Sequence, residues 1–181
     1  MSMIDLGRPT HGDVVDLIID DHRRFEEILR ALRMGDVDRD EARRAFAAVH
    51  VAHSVAEEEL VYPVLRRKAD DVGQHEVEHG EEEHAEGNQA LLRVLELKGT
   101  DTPTFVEAVE KLSNLVAHHL AEEELSILGP ARTEVAERTR RELGAKWAAR
   151  RTELLDQDCG DVDNVRRLVD QAKRDGHLDD E

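Results

Sequence analysis

The segment His53-Ser-Val-Ala-Glu57-Glu-Glu-Leu-Val-Tyr-Pro63 places an imidazole and a carboxylate four residues apart within a long helical pattern. Because residues i and i+4 lie on one face of an α-helix, His53 and Glu57 point in the same direction. The same face carries apolar side chains, namely Phe46, Val49, Leu60 and Val64. The segment therefore predicts a helix that turns two side chains of metal-ligand type towards a protein interior.

Three further helical patterns accompany this one, each with apolar residues at steps of three and four and with capping or turn residues at its ends. The four patterns cover residues 13–34, 38–68, 74–97 and 102–130. Pro63 is expected to kink or interrupt the second helix, and Gly129-Pro130 is expected to end the fourth. Four helices with short links predict an all-α fold, an up-down-up-down four-helix bundle over residues 13–130.

The residues on either side of the bundle pattern have a different character. Residues 1–12 are predicted to form an N-terminal arm. Residues 131–181 predict a helical extension, with one or two helices around Gly144, a short helix over 161–173 and a frayed tail over 176–181. The extension is expected to cap the end of the bundle or to mediate self-association, and the sequence does not choose an oligomeric state. Trp147 and Cys159 are predicted to be packing residues.

Composition and charge exclude several classes of partner. The chain has 42 acidic and 25 basic residues and a formal net charge of −17, which disfavours binding to nucleic acid and to anionic membranes. It contains no apolar stretch of the roughly 20 residues that span a bilayer, and residues 1–10 lack the apolar core of a secretory signal. The single cysteine forms no internal disulfide. These features predict a cytoplasmic protein without a membrane or nucleic-acid partner.

Four histidines recur at nearly equal intervals, one on each predicted helix. His22, His53 and His84 are 31 residues apart, and the fourth helix offers His118 or His119 after a further 34 or 35 residues. One helix and its turn take about that length in an up-down bundle, so the four imidazoles are expected at a similar depth. A glutamate lies four residues after the histidine on the second and fourth helices. The pattern predicts four imidazoles and two carboxylates that converge on the bundle axis.

The predicted core acids need a positive partner. A carboxylate buried without one costs several kcal/mol, and the apolar helix faces carry no Lys or Arg at this level. A bound cation would compensate the charge, and imidazole with carboxylate, without thiolate, suits iron, manganese or zinc. Because two carboxylates and four histidines exceed the needs of one tetrahedral ion, we predict two ions bridged by Glu57 and its counterpart on the fourth helix.

The ligands on the fourth helix can be assigned in two registers. At 100° per residue, His119 and Glu123 lie about 20° from the centre of the apolar face, whereas His118 lies about 120° away and Glu122 about 80°. This favours His119 and Glu123. A competing alignment, which pairs Leu125 with a leucine of the second helix, selects His118 and Glu122 instead, and both registers have the same His-x-x-x-Glu spacing.

The remaining polar residues are predicted to be ordinary surface groups. His50, His75 and His79 are expected on polar or flanking faces, and the acidic runs over 57–59 and 81–83 are typical of solvated faces. The His-x-x-x-Glu spacing of His79 and Glu83 is expected by chance.

Taken together, these segments resemble the hemerythrin-like (HHE cation-binding) family. The resemblance rests on residues 13–22, on the His53–Pro63 segment, on Glu83-His84 followed seven residues later by two leucines, and on His119-Leu-Ala-Glu-Glu123. It covers about residues 13–130 and implies a four-helix bundle around a non-haem diiron centre with an oxo or hydroxo bridge. By this resemblance His22, His53, His84 and His119 would be terminal ligands, and Glu57 and Glu123 would bridge the two iron ions.

The chain departs from the oxygen-carrying members of that family on the third helix. Those proteins have a second histidine one turn from the helix-three ligand, where this chain has Gly80 or, on the other side, Asn88. A coordination sphere with open positions favours peroxide or nitric oxide chemistry over pure oxygen carriage. The resemblance implies a protein that binds or senses dioxygen, peroxide or nitric oxide. A diiron catalase or peroxidase is the alternative, with Glu58, Asn88 or His118 as candidates for proton transfer; iron–sulfur repair and ferritin-type iron oxidation rank lower.

Overall fold

A computed structural model describes residues 4–179, which form six helical rods and contain no strand. The predicted all-α bundle with a C-terminal helical extension is confirmed. The four bundle rods are α1 (Val14–Met34), α2 (Arg39–Ala56) continued by α3 (Tyr62–Lys68), α4 (Gln74–Glu96), and α5 (Pro103–Glu123) continued by α6 (Gly129–Glu134). The extension consists of α7 (Glu137–Asp156) and α8 (Val162–Asp175). Every helix in the described part of the chain is too short or too polar to cross a membrane.

Local sequence signals set the ends of the bundle helices. The Asp13 carboxylate accepts a hydrogen bond from the backbone N–H of Val15, and the Thr102 hydroxyl accepts one from the N–H of Phe105. Gly35 ends α1 in the left-handed conformation, at φ 72°, which a residue without a side chain adopts at little cost. The predicted starts of the first and fourth helices and the predicted end of the first are thereby confirmed.

The apolar faces of the four rods meet in one core. The 3.6-residue period placed the following residues on those faces, and they are buried: Val15, Ile18, Phe25, Leu29, Leu32, Phe46, Val49, Val77, Leu91, Phe105, Val109, Leu112 and Val116. Four others placed there are only partly buried, namely Leu60, Val64, Leu95 and Leu115. The rings of Phe25 and Phe46 meet edge to face, with their centroids 5.6 Å apart. This packing holds the rods together at the depth where the polar side chains converge.

Two bundle rods pass through a π-helical turn just before an internal proline. The turns span Glu57–Val61 and Glu124–Leu128, and Pro63 and Pro130 follow two residues after them. A proline lacks the N–H of the helical ladder and clashes with the carbonyl four residues earlier, so a wider turn lets the rod continue. The predicted interruption at Pro63 is confirmed, because the α-helix gives way to a π-helical turn just before this residue. The prediction that Gly129-Pro130 ends the fourth helix is wrong, because the rod runs on to Glu134.

The C-terminal extension lies along the sides of the bundle. Helix α7 packs against α1 and α2, and α8 packs against α4. Helix α7 is one continuous helix through Gly144, where a Cβ atom would lie 2.1 Å from the backbone oxygen of Gly12. The missing side chain at Gly144 therefore allows α7 to approach the chain just before α1.

The two ends of the chain are described in part. Helix α8 ends at Asp175 and is capped by Gly176, and the predicted frayed tail is described only as far as residue 179. Residues 1–3 of the predicted arm and residues 180–181 of the predicted tail lie outside the described residues.

Candidate metal centre

The six side chains predicted as metal ligands lie together in the bundle interior, and each residue is at most 4% exposed. They are His22, His53, Glu57, His84, His119 and Glu123, called the interior cluster below. Glu57 Oε2 lies 3.2 Å from His53 Nε2 and 3.5 Å from His84 Nε2. Glu123 Oε2 lies 3.1 Å from His22 Nε2 and 3.6 Å from His119 Nε2.

The imidazoles of the interior cluster form two pairs. The ring centroids of His22 and His53 are 5.3 Å apart, and those of His84 and His119 are 4.5 Å apart. Each glutamate contacts one imidazole of each pair. His22, His53 and Glu123 offer ligand atoms that all lie within 4.8 Å of one another, and the His84–His119 pair faces Glu57 and Glu123 beside them. Imidazole and carboxylate together are donors that suit divalent transition-metal ions.

On α5 the structure places the favoured register inside the bundle. His119 is 4% exposed and Glu123 is 2% exposed. The His118 side chain is 63% exposed. Leu125, whose alignment supported the other register, is 76% exposed. The angular position of the apolar face therefore identified the inward pair correctly, whereas the alignment with the second helix did not.

The inward atoms of the cluster lack well-directed hydrogen bonds. Within residues 4–179, this holds for Nε2 of all four histidines, both carboxylate oxygens of Glu57 and Oε2 of Glu123. Buried polar atoms without partners are costly, and native proteins satisfy nearly all of them. Bound cations would satisfy these atoms together. The residues present therefore fit metal binding.

The outward nitrogens of the same rings are all held by carboxylates, called the outer carboxylates below. The Nδ1 atoms of His22, His53, His84 and His119 lie 2.9, 3.2, 2.8 and 2.9 Å from Glu124, Asp21, Glu58 and Glu83, respectively. A carboxylate that accepts the Nδ1 proton fixes the ring and leaves Nε2 as the ligating atom. All four imidazoles thus turn Nε2 towards the carboxylates of the interior cluster.

The outer carboxylates connect the four bundle rods in a closed ring. Each outer carboxylate is the sequence neighbour of an interior-cluster residue on its own rod. Its hydrogen bond, however, is to a histidine on the next rod along the chain. Glu124, on the last bundle rod, bonds His22 on α1 and so closes the ring. Neighbouring helical positions differ by about 100°, so the adjacent side chain points sideways to the next rod. The prediction of a solvated face is wrong for Glu83, whose side chain is only 7% exposed. In the sequence, the position of each outer carboxylate next to a predicted ligand was the feature that could have revealed it.

A buried arginine of α7 reaches this ring. Arg151 is 0% exposed and donates from Nε to Asp21 Oδ2 at 2.6 Å and from Nη2 to Asp21 Oδ1 at 2.9 Å. One turn earlier, the fully buried Trp147 meets the His53 ring edge on, with the centroids 5.6 Å apart. Trp147 packs as expected, but sequence reasoning missed Arg151. The extension therefore supports His53 both directly and through Asp21.

The two carboxylates of the cluster titrate differently in the metal-free protein. Burial and the neighbouring charge of Glu123 raise the pKa of Glu57. Burial opposes ionisation of Glu123 too, but contacts with His22 and His119 outweigh it and hold its pKa well below its usual range. Two adjacent negative charges repel each other, which is why the pair divides in this way. Metal binding would displace the protons of the cluster and supply positive charge in their place.

Tyr62 fills one space beside His84. A Cβ atom at Gly80 would lie 2.8 Å from Tyr62 Oη. The buried tyrosine ring stacks on the His84 ring at a centroid distance of 5.8 Å, and its hydroxyl donates to Glu123 Oε1 at 3.0 Å. Burial and the Glu123 charge raise the pKa of Tyr62 well above its usual range, so the hydroxyl remains a donor. Gly80 thus gives a tyrosine the space next to His84.

His50 lies in the interior, and the prediction of a flanking face is wrong. It is 3% exposed, and a Cβ atom at Gly87 would lie 3.3 Å from its ring, so the glycine provides the room. The ring lies beside Asn88 and 6.5 Å from the His84 ring. Burial and the nearby histidines lower the pKa of His50 well below its usual range. In the described structure, neither His50 nitrogen nor Asn88 Oδ1 forms a well-directed hydrogen bond.

Comparison with known protein families gives a match over most of the chain. The model of the Hemerythrin HHE cation binding domain matches residues 13–131, from the N-cap of α1 into α6. No curated protein and no solved structure gave a match. The matched residues include the whole interior cluster, whereas α7 and α8 lie beyond them. The resemblance drawn from the sequence is confirmed.

Proposed function

The chain belongs to the hemerythrin HHE cation-binding domain family, and we propose that its interior cluster holds two iron ions at which dioxygen, peroxide or nitric oxide binds. One observation carries the proposal. Four buried Nε2 atoms and the facing carboxylate oxygens lack well-directed hydrogen bonds within residues 4–179, while every Nδ1 atom of the same rings is held by a carboxylate. Such rings are oriented for metal and are costly without it.

When bound, an iron pair supplies redox chemistry and coordination positions for a small diatomic or peroxide ligand. His22 and His53 would hold one ion, His84 and His119 the other, and Glu57 and Glu123 would bridge them. Two imidazoles and two shared carboxylates per ion leave positions free for an exogenous ligand. Manganese and zinc accept the same donors, so metal analysis belongs to the test.

The surroundings of the cluster suit a small ligand. The Phe25 ring contacts both His50 and His53 edge on, and the Phe46 ring stacks on His50. These aromatic rings exclude water and would slow the loss of a bound molecule. His50 and Asn88 offer a donor and an acceptor without well-directed partners in the described residues. We infer that these two polar groups contact the ligand.

A diiron catalase or peroxidase is the second candidate, and Glu58 favours it. Glu58 holds His84 Nδ1 at 2.8 Å, yet 37% of its side chain is exposed. It also lines a cavity of about 220 Å³ between α2, α4 and α8. A carboxylate that contacts both a ligand histidine and solvent can exchange protons during turnover. Conversion of two hydrogen peroxide molecules to two water molecules and one dioxygen molecule needs such proton transfer and no further reductant.

Iron content tests the main proposal. Protein loaded with ferrous iron without oxygen, and then freed of excess metal, should retain two iron ions per chain. His53→Ala should lose most of the iron and keep its helical circular dichroism, whereas the exposed control His75→Ala should retain both ions. Unchanged iron in His53→Ala would count against the ligand role.

A pair of variants tests which of the two histidines on α5 is the ligand. His119→Ala should lose more iron than His118→Ala, because His119 is buried in the cluster and the His118 side chain is 63% exposed. The reverse order would assign the ligand role to His118.

Mixing experiments distinguish binding from turnover. Iron-loaded protein treated with nitric oxide or hydrogen peroxide should give a stable change in its absorption spectrum if it binds or senses these molecules. Sustained oxygen evolution from peroxide would support the catalase instead. His50→Leu should keep the iron content and weaken or shorten the adduct, since it removes a polar contact without removing a ligand of the cluster.

A further inference from the structure

A second group of metal-ligand-type side chains lies at the surface beside the interior cluster. His79 and Glu83 are one turn apart on α4, and His118 reaches them from α5. His79 Nε2 lies 3.5 Å and His118 Nε2 lies 3.4 Å from the same atom, Glu83 Oε1. The two histidine side chains are 46% and 63% exposed. One ligand atom from each residue therefore lies within 4.8 Å of the others.

Only one of the two carboxylate oxygens of Glu83 is used to hold His119. Its Oε2 atom accepts the Nδ1 hydrogen bond of His119 at 2.9 Å. Its Oε1 atom is buried and has no well-directed hydrogen bond in the described part of the chain, although it faces the two exposed imidazoles. A buried carboxylate oxygen without a partner is costly, and a cation between the imidazoles would satisfy it.

We propose that His79, Glu83 and His118 form a separate site for a divalent transition-metal ion, called the surface site below. Two imidazoles and one carboxylate suit zinc, cobalt or nickel, and water can complete the coordination because the histidines are exposed. Calcium and magnesium prefer oxygen ligands and are not expected to bind. The formal net charge of −17 favours the approach of a cation.

The surface site and the interior cluster use different atoms. His119 directs Nδ1 to Glu83 and Nε2 to the cluster, and Glu83 divides its two oxygens between His119 and the surface imidazoles. Both sites can therefore be filled together. An ion at the surface site would also hold Glu83 in the position from which it orients His119, so occupancy of the two sites should be linked.

Protonated histidines are the alternative partners for Glu83. Imidazolium forms of His79 and His118 could pair with Oε1 without any metal, and ion pairs to exposed side chains contribute little stability. This alternative needs no ion, so it predicts the same metal uptake whether or not the two histidines are present. The two explanations thus differ in their response to added metal.

A zinc titration tests the surface site directly, because it measures how many zinc ions each variant binds. Metal-free protein is titrated with zinc chloride at mildly alkaline pH, and bound zinc is measured by equilibrium dialysis. The double variant His79→Ala/His118→Ala should bind one equivalent less than the unaltered chain. His75→Ala removes an exposed histidine one turn from His79 and should bind as much as the unaltered chain. Circular dichroism should show the fold intact, because both altered residues are exposed.

Two results would overturn the surface site. One is equal zinc stoichiometry in the unaltered chain and in the double variant. The other is the loss of an equivalent in His75→Ala, which would assign the ion to the neighbouring pair His75 and His79, whose rings lie 6.2 Å apart. A chain whose interior binds no metal would still lose its one zinc ion in the double variant. Failure of the interior site and failure of the surface site therefore remain distinguishable.

Discussion

Asp21 and Glu83 perform the same task in two different environments. Each is a buried carboxylate, next in sequence to a histidine of the interior cluster, and each holds the Nδ1 atom of a histidine on the following rod. The remaining charge of Asp21 is compensated by the buried Arg151, whereas Glu83 faces the two exposed imidazoles of the surface site. The Asp21 environment is closed and carries a fixed charge, and the Glu83 environment is open to solvent and to ions.

The difference shows that the bundle supplies all four outer carboxylates but not the buried arginine that compensates one of them. The family match ends at residue 131, and Arg151 lies beyond it on α7. Only the Asp21 environment depends on the extension, because both histidines that face Glu83 belong to bundle helices. The stability of the metal-free protein should therefore respond to changes on the Asp21 side much more than to changes on the Glu83 side.

Arg151→Met should have the largest effect. It removes two hydrogen bonds to the buried Asp21 and leaves those with Arg24 and His53, so the free energy of unfolding should fall by about 3 kcal/mol. Arg150→Met is the matched control. It alters the adjacent position on α7, which pairs with Glu59 at the surface, and should cost about 1 kcal/mol or less. Denaturant unfolding of the metal-free proteins measures both; equal losses would show that α7 does not brace Asp21.

The pair Asp21→Asn and Glu83→Gln tests the comparison itself. Both variants loosen one histidine, so both should weaken metal binding by the interior cluster about 10- to 100-fold. Only Asp21→Asn should also destabilise the metal-free protein, by about 2–3 kcal/mol, because it leaves Arg151 buried without an anion. Competition for metal with a chelator and urea unfolding measure the two effects. Similar destabilisation by both variants would remove the distinction.

Gly144→Ala tests whether the close approach of α7 is required. The added methyl group would meet the backbone oxygen of Gly12, so α7 must shift, and unfolding should become easier by about 1–3 kcal/mol. Gly129→Ala is the control, since a Cβ there would lie 3.4 Å from the Glu124 oxygen and should be tolerated. Thermal unfolding compares them. Unchanged stability in Gly144→Ala would mean that the packing of α7 against the Gly12 backbone does not support the bundle.

Cys159, which follows α7, should give the smallest effect. Burial raises the pKa of its thiol to about 11 from a usual value of 9.0. The unfolded thiol ionises first as the pH rises, so its stabilising contribution is complete below about pH 9 and is lost by about pH 11. Cys159→Ala should flatten this part of the dependence of unfolding free energy on pH. Parallel profiles for the two proteins would refute a buried neutral thiol.

The interior cluster was predictable because its geometry is local. His53 and Glu57 share a helix face by their spacing alone, and the angle to the apolar face separated His119 from His118. The outer carboxylates depend on which rods are neighbours, which no single helix specifies. Arg151 lies 130 residues from Asp21 and is one of five arginines on α7, so nothing in the sequence singles it out for burial.

Two other errors have a similar physical origin. His50 is interior because Gly87, on another rod, leaves space for its ring, and the sequence does not reveal that pairing. Pro130 was expected to end a helix. A proline that stops a helix and a proline that follows a π-helical turn both lack the same N–H group, so the sequence does not distinguish the two cases. In both cases the outcome is decided by the space around the residue.

The most direct measurement is an anomalous difference map, collected at the iron absorption edge, from crystals of the iron-loaded protein. If the interior cluster holds two iron ions, the map will show two peaks inside the bundle, one beside His22 and His53 and the other beside His84 and His119. A single interior peak, or an interior without a peak after loading, would be incompatible with the proposed diiron centre.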